Sequence, residues 1–176
     1  MVDEATDSED HKKKFAIIRE VYNDENAHDH FEYELEKALD LECQLIVIEP
    51  TKLGDETARW IAVGNCLHKT AALSGLAAIV TGLMCDDKPY LWASFGLTAA
   101  VSCGLYTVSW QFDPCCKYQV ETDTSKLPNA EVLAVLGPSS PTFLVRKDDS
   151  RRKILHSTVT ALALSICAWR LYQVFK

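Results

Sequence analysis

The sequence predicts a helical membrane protein, in which a transmembrane helical hairpin and a third, C-terminal membrane helix accompany a small soluble α+β portion. The principal observation is Pro89–Phe112, a run of 24 residues without a charged side chain. About 20 apolar residues are enough for a helix to cross a bilayer core of about 30 Å. Two shorter uncharged runs of 16 residues, 70–85 and 154–169, supply the other two helices.

Charged residues are distributed unequally, which separates a soluble front from a membrane-bound back. Residues 1–58 carry 17 acidic and 6 basic side chains, whereas residues 59–176 carry 8 acidic and 12 basic ones. The front half is therefore strongly acidic and the back half slightly basic. Direct binding to nucleic acid is not expected for such a front half, because phosphate contacts need clustered Lys and Arg.

The soluble front is predicted to be a strand–helix–strand unit of residues 15–58, preceded by a disordered acidic tail of residues 1–14. Aromatic and β-branched residues predict one strand at 15–22, and QLIVIE predicts another at 44–49. Between them, Asn26 is a suitable helix N-cap. Apolar positions at i, i+4, i+7 and i+8 then predict an amphipathic helix.

Residues 59–112 are predicted to form the transmembrane helical hairpin. Residues 52–57 suggest a turn around Gly54, after which the chain becomes helical as far as residue 85. Asp86-Asp87-Lys88-Pro89 is a short polar turn into the second and stronger span. The two spans therefore run antiparallel.

The remaining third combines a soluble segment with the last membrane helix. Residues 113–150 contain short apolar–polar alternations at 118–121, 132–136 and 142–145, which predict strands that complete a small mixed sheet with the front half. Residues 151–176 form a basic flank followed by a helix that either spans the membrane or lies flat on it, with a span favoured. The positive residues favour the cytosolic or matrix side for the soluble portion.

Four segments resemble the transmembrane protein 11 family of mitochondrial membrane proteins. They are EVYNDENAHDHFEYELEKAL (20–39), IVIEPTKLGDETARWIAVGNCLHKTA (46–71), SWQFDPCCKYQVE (109–121) and LVRKDD (144–149). The resemblance implies a multi-pass protein that shapes mitochondria and cristae in association with the contact-site and cristae-organising complex. It favours the inner membrane. The outer membrane, with its mitophagy receptors as partners, is the alternative.

Small residues recur at helical spacing on both spans of the hairpin. Gly96, Ala100 and Gly104 form such a ridge on the second span, and Ser74, Ala78 and Gly82 form one on the first. Small residues let helices approach closely in lipid. The ridges are predicted to pack the two helices together within one chain, to pack against another copy or a cristae protein, or both.

Cys115 and Cys116 follow Asp113-Pro114 directly at the exit from the membrane. Cysteines beside a membrane are candidates for reversible acylation, and a vicinal pair can also respond to oxidation or bond to another chain. Structural burial is the simplest interpretation. Zinc is not expected, since adjacent cysteines rarely present tetrahedral geometry.

Charged and titratable residues near the ends of the membrane segments suggest contacts with the lipid surface. His68 and Lys69 are candidates for contact with anionic head groups such as cardiolipin, or for simple interfacial anchoring. The basic cluster 151–153 either attracts an anionic surface or sets topology. Arg170 is either a snorkelling residue or a sign that the last helix does not cross.

No catalytic, metal or cofactor pattern is found in the sequence. His28 and His30 point to nearly opposite sides of their helix, so they are expected on a solvated face rather than around one metal ion. The function predicted is therefore a non-enzymatic membrane scaffold. The alternative is a small oligomeric channel or transport subunit, whose polar stripe would need the hydroxyl residues Thr81, Ser94, Thr98, Ser102, Thr107 and Ser109.

Overall fold

The computed structural model describes residues 15–19, 27–85, 87–122 and 141–176. Three sequence predictions lie outside these residues: the acidic tail of residues 1–14, the N-cap Asn26 and the strand at 132–136.

The chain divides into two compact units. The sheet unit comprises Met1–Ile61 and Lys117–Lys147. The membrane unit comprises Ala62–Cys116 and Asp148–Lys176. A four-stranded sheet characterises the first unit and long apolar helices characterise the second, which confirms the predicted fold class.

Four short strands form one mixed sheet in the sheet unit. They are β1 (Phe15–Ile18), β2 (Leu45–Ile48), β3 (Tyr118–Glu121) and β4 (Thr142–Arg146). The strand order is β1-β2-β4-β3, in which β1 and β2 are parallel and the other neighbours are antiparallel. This confirms the predicted mixed sheet. The first strand ends at Ile18, earlier than the sequence suggested.

Helix α1 (Ala27–Asp40) connects the two parallel strands, as a parallel pair requires. Its buried residues have the predicted i, i+4, i+7, i+8 spacing and are Phe31, Leu35, Ala38 and Leu39. All four side chains of β2 are at most 1% exposed. Strand β2 therefore lies at the centre of the sheet, where a continuous run of Leu, Ile and Val is typical of burial on both faces.

Helix α2 (Thr51–Met84) begins directly after Pro50, so the turn predicted at 52–57 is wrong. Gly54 lies inside the first turns of the helix, where a Cβ atom would be only 2.5 Å from Oγ1 of Thr142 in β4. The packing of these turns against the sheet, with Leu53 buried, outweighs the cost of about 1 kcal/mol of a helical glycine. The helix continues into the membrane unit.

Two further long helices complete the membrane unit, α3 (Pro89–Ser109) and α4 (Ser150–Phe175). Together with α2, they are the three helices in the described part of the chain that are long and apolar enough to cross a membrane. At 1.5 Å per residue, the 21 residues of α3 extend about 31 Å, which matches the thickness of a bilayer core. The third membrane helix predicted from the sequence is thus present as α4.

Helix α4 runs parallel to α2 and antiparallel to α3. In the contacts between α2 and α4, the residue numbers of both helices increase together, from Asn65–Arg152 through His68–His156 to Gly82–Arg170. In the contacts between α3 and α4, the residue numbers of α3 decrease as those of α4 increase, from Tyr106–His156 to Trp92–Cys167. The chain enters and leaves the unit at Ala62, Cys116 and Asp148, which share one end of the bundle. This end is called the junction end, and the opposite one the far end.

Candidate functional site

The helices of the membrane unit contact one another at small residues. A Cβ atom added to Gly75 would lie 2.7 Å from Cγ1 of Val159, and one added to Gly82 would lie 2.8 Å from Cγ2 of Ile166. Both neighbours belong to α4. Each distance is shorter than real Cβ contacts permit, so these glycines let the backbones of α2 and α4 approach closely.

The ridge predicted on α2 is therefore used inside the chain. Ser74, Ala78 and Gly82 are all buried. The sequence suggested that this ridge would pack against the second span, but its glycine is closest to α4, with Cβ of Trp92 in α3 further away at 3.8 Å. Gly75, which the sequence reading missed, belongs to the same contact and lies next to Ser74.

The ridge predicted on α3 has two different surroundings. Gly96 is buried against α4, where an added Cβ atom would be 2.7 Å from Sγ of Cys167. Ala100 is partly buried, and Gly104 is exposed, with no atom within 4 Å of an added Cβ. Exposed apolar side chains lie on the same side of α3 as Gly104, namely Leu97, Val101 and Val108. One end of the ridge packs within the bundle, and the other remains open.

A histidine pair joins α2 to α4 near the junction end. The Nδ1 atoms of His68 and His156 are 3.0 Å apart. His156 is only 1% exposed, and its ring meets that of Tyr106 edge-on at a centroid distance of 4.7 Å. One imidazole donates its Nδ1 proton to the other, since a neutral ring offers one donor and one acceptor. His68, a candidate for head-group contact, thus turns towards its neighbour helix.

Two arginines of α4 bind the neighbouring helix α2 at opposite ends of the bundle. Arg152 donates from Nη1 to Oδ1 of Asn65 at 2.8 Å. Arg170 donates from Nε to the carbonyl oxygen of Gly82 at 2.5 Å. Gly82 lies in the last turn of α2, where helical carbonyls lack intrahelical partners. Arg170 therefore caps α2 at the far end, a role that the sequence did not suggest.

The vicinal cysteines lie among acidic groups at the junction end. The Cys115 backbone N–H donates to Oδ1 of Asp113 at 2.7 Å, and the Cys116 thiol donates to Oδ2 of Asp149 at 3.2 Å. Burial, with the adjacent carboxylate as the second cause, raises the pKa of Cys115 to about 12 and that of Cys116 to about 11. The thiolate that acylation and oxidation require is accordingly scarce at neutral pH.

The hydroxyl residues proposed for a polar pore are mostly satisfied within their own helices. Thr81 donates to the carbonyl of Ala77, Ser94 to Leu91, Thr98 to Ser94 and Thr107 to Cys103. A hydroxyl that bonds to the preceding turn needs no water-filled path to satisfy it. Ser102 is buried and Ser109 is exposed. These contacts give the channel alternative no support.

No group of three His, Cys, Asp or Glu side chains that could hold a metal ion occurs in the described ranges. On α1, Nδ1 of His30 is 3.8 Å from Oε1 of Glu34, and both side chains are largely exposed. This is an ordinary pairing of residues four apart on a helix surface.

The comparisons with known proteins agree with this architecture. Residues 14–172 match a family described as "Mitochondrial morphogenesis regulator". The chain is 53% identical to "Transmembrane protein 11, mitochondrial" of Homo sapiens over 161 residues, covering 90% of this chain and 83% of the human protein.

Two further relatives show the same similarity. "Transmembrane protein 11-A, mitochondrial" of Xenopus laevis is 53% identical, with 91% of this chain and 86% of that protein covered. The relative from Danio rerio is 51% identical, with 90% and 86% covered. No solved structure matches the chain. With most of its length matched at this identity, the chain is a mitochondrial transmembrane protein of the mitochondrial morphogenesis regulator family.

Proposed function

We propose that this protein is a non-enzymatic scaffold of the mitochondrial inner membrane, which organises cristae by association with the contact-site and cristae-organising complex. The family description supports a role in mitochondrial morphogenesis. The complex and the choice of membrane come from the resemblance in the sequence. A scaffold acts through surfaces rather than through a reaction centre.

The observation that carries the proposal is the division of α3 into two faces. The face with Gly96 packs against α4, so it builds the bundle. The face with Gly104 is open, and a small residue between exposed apolar side chains gives another helix room to approach. The bundle is thus closed within one chain and still presents a helix surface suited to a membrane partner. That partner is a protein of the cristae-organising complex or a second copy of the chain.

The division also separates two substitutions that the sequence alone would treat alike. Gly96→Leu would drive a side chain into Cys167 and disturb the bundle, so a loss of partners in that variant would have a trivial cause. A Cβ atom added at Gly104 meets no atom within 4 Å, so we expect Gly104→Leu to leave the bundle intact and to change only the open face. Gly104→Leu is therefore the informative variant.

The test is purification of tagged full-length protein from mitochondria, followed by quantification of co-purified components of the cristae-organising complex. We expect Gly104→Leu to reduce their recovery several-fold while membrane insertion stays normal. Thr98→Leu is the matched control, since Thr98 is exposed elsewhere on α3 and its hydroxyl bonds only to the carbonyl of Ser94. This control should leave recovery unchanged.

Normal recovery of these components with Gly104→Leu, together with unchanged co-purification of a second, differently tagged copy of the chain, would contradict the role of the open face. Recovery of outer-membrane receptors in their place would contradict the inner-membrane assignment. A loss of self-association with retained cristae components would identify the second copy as the partner of this face.

A further inference from the structure

We propose that the junction end of the membrane unit binds the phosphate of an anionic phospholipid, held by Arg152 of α4 and Lys69 of α2. The proposal concerns a lipid site and does not depend on the scaffold role.

Arg152 provides a positive charge that has no ion-pair partner in the part of the chain that the structure describes. Its guanidinium is partly buried and donates to the neutral amide oxygen of Asn65 at 2.8 Å. Among the described residues, no carboxylate lies within ion-pair distance of it. A guanidinium has five N–H donors in a fork that matches phosphate oxygens, so most of its donors remain available for an anion.

The nearby acidic groups are engaged elsewhere. Asp149 accepts the Lys153 ammonium at 3.0 Å and the Cys116 thiol at 3.2 Å. Asp148 accepts the backbone N–H of Ser150 at 3.0 Å, and its pKa is lowered first by the hydrogen bonds from Ser150 and in smaller part by Arg151. Of the cations in the first turn of α4, Lys153 is therefore paired with Asp149. Neither carboxylate is paired with Arg152 among the described residues.

Lys69 adds a second charge from the neighbouring helix. It lies four residues after Asn65, so it occupies the same face of α2 one turn further into the bundle. Its side chain is exposed. His68 turns towards His156 instead and does not contribute to this outer surface. Lys69 thus lies about one helical turn along α2 from Asn65, the residue to which the Arg152 guanidinium is hydrogen-bonded.

The surface that continues from these charges is apolar. Leu73 and Leu76 follow Lys69 on the same face of α2, and Leu155 follows Arg152 on α4. Their side chains are exposed by 68%, 50% and 52% respectively. Cationic groups above an apolar helix surface match a phospholipid, whose phosphate lies at the interface and whose acyl chains extend into the bilayer. A soluble phosphate would make no use of the leucines.

The experiment uses the full chain purified in a neutral detergent and titrated with phosphatidylglycerol. The measured quantity is the lipid concentration needed for a fixed rise in unfolding temperature, because a ligand of the folded state raises that temperature progressively. We expect Lys69→Gln and Arg152→Gln each to raise this concentration about fivefold, the usual contribution of one basic residue at an anionic membrane surface. Lys88→Gln, at the far end, should leave it unchanged.

Three additional measurements make the test specific. Phosphatidylcholine should give no comparable rise, and soluble glycerol 3-phosphate should give none. Arg152→Lys keeps the charge and should retain more affinity than Arg152→Gln. If Arg152→Gln disturbs the bundle, Lys69→Gln still decides the matter, since that side chain is exposed.

Four results would overturn the proposal. They are unchanged affinity in Lys69→Gln, an effect of Lys88→Gln as large as that of Lys69→Gln, equal binding of phosphatidylcholine, and equal binding of glycerol 3-phosphate. The last result would identify a soluble phosphate as the ligand. Because recovery of partner proteins is not measured here, failure of this proposal is distinguishable from failure of the scaffold role.

Discussion

The sheet unit and the membrane unit are held together by different kinds of side chain. The centre of the sheet unit consists of large apolar residues, among them Leu45, Val47 and Phe143, which pack in one cluster. The helix contacts of the membrane unit instead involve glycines, with a cluster around Ala78, Trp92 and Ala163 in its interior. Many large aliphatic residues of that unit are exposed, among them Leu73, Leu97 and Leu162.

The difference follows from the two solvents. In water, removal of large apolar side chains from the solvent drives packing, with about 25 cal/mol gained per Å² buried. In lipid, an exposed leucine is already in an apolar solvent, so helices associate through close backbone approach and polar contacts. Polar contacts between α2 and α4 are correspondingly placed along the bundle, from Asn65–Arg152 to Gly82–Arg170. One chain therefore follows two sets of packing rules.

The largest expected effect on stability comes from shortening a large apolar side chain to alanine, and it should differ between the two units. Ile46→Ala removes a side chain that is 0% exposed and should lower the free energy of unfolding of the sheet unit by about 2–5 kcal/mol. Leu76→Ala, at an exposed position of α2, should change stability little, since its side chain faces lipid in both states. Urea titration in mild detergent, followed by proteolysis of each unit, measures both. Equal losses in the two variants would contradict the comparison.

The opposite kind of substitution replaces a glycine of the membrane unit by the larger leucine. Gly75→Leu forces a side chain against Val159, so we expect destabilisation of the membrane unit by about 1–3 kcal/mol. Gly104→Leu introduces the same side chain on the open face and should be neutral for stability. Thermal unfolding in detergent, followed by circular dichroism, provides the measurement. A Gly104→Leu variant as unstable as Gly75→Leu would show that this face is packed as well.

A smaller effect is expected for the polar contact between helices. A double-mutant cycle of His68→Ala and His156→Ala should give a coupling energy of about 0.6 kcal/mol and no more than about 1.7 kcal/mol, the range found for hydrogen bonds between membrane helices. Unfolding of the purified protein in detergent provides the four stabilities. A coupling energy of zero would mean that the contact at 3.0 Å does not stabilise the pair.

The last prediction concerns the chemical reactivity of the vicinal cysteines, for which no change in the stability of either unit is measured. With pKa values of about 12 and about 11, at most about one thiol in a thousand is ionised at pH 8. Iodoacetamide should therefore label Cys116 about a hundredfold and Cys115 about a thousandfold more slowly than in the denatured chain. Labelling of both thiols should accelerate as the pH rises, because the reactive thiolate fraction increases with pH until the pKa is reached. The raised pKa values of the folded state place this increase at higher pH than in the denatured chain. Mass spectrometry of the labelled peptide measures the rate.

Asp149→Asn is the selective control for this measurement. The variant removes the carboxylate that accepts the Cys116 thiol, so labelling of Cys116 should increase more than that of Cys115. Rapid labelling of both thiols in the folded wild type at pH 8 would restore acylation and redox chemistry as roles for the pair.

Local patterns in the sequence were sufficient for most elements of the fold. The uncharged run at 89–112 and the helical spacing after Phe31 depend only on neighbouring residues, and both were read correctly. The start of α2 was missed because Gly54 suggests a turn locally. Its place inside a helix is explained by contact with Thr142, 88 residues later in the chain.

The contacts of the candidate site were less accessible to sequence reasoning. His68 pairs with His156 and Arg170 caps Gly82, in each case across 88 residues, and no spacing rule connects such positions. The small-residue ridge on α3 was visible in the sequence, but its division into a packed and an open face was not. That division depends on where α4 lies against Gly96.

The arrangement of three crossing helices is tested most directly by protease protection of isolated mitochondria that contain tagged protein. One tag precedes Phe15 and the other follows Lys176. If all three helices cross, the parallel course of α2 and α4 is expected to place the two tags on opposite sides of the membrane. For an inner-membrane scaffold with its sheet unit in the matrix, the C-terminal tag is digested once the outer membrane is ruptured, whereas the N-terminal tag is protected until the inner membrane is opened. Digestion of both tags at the same step would contradict the three-helix crossing.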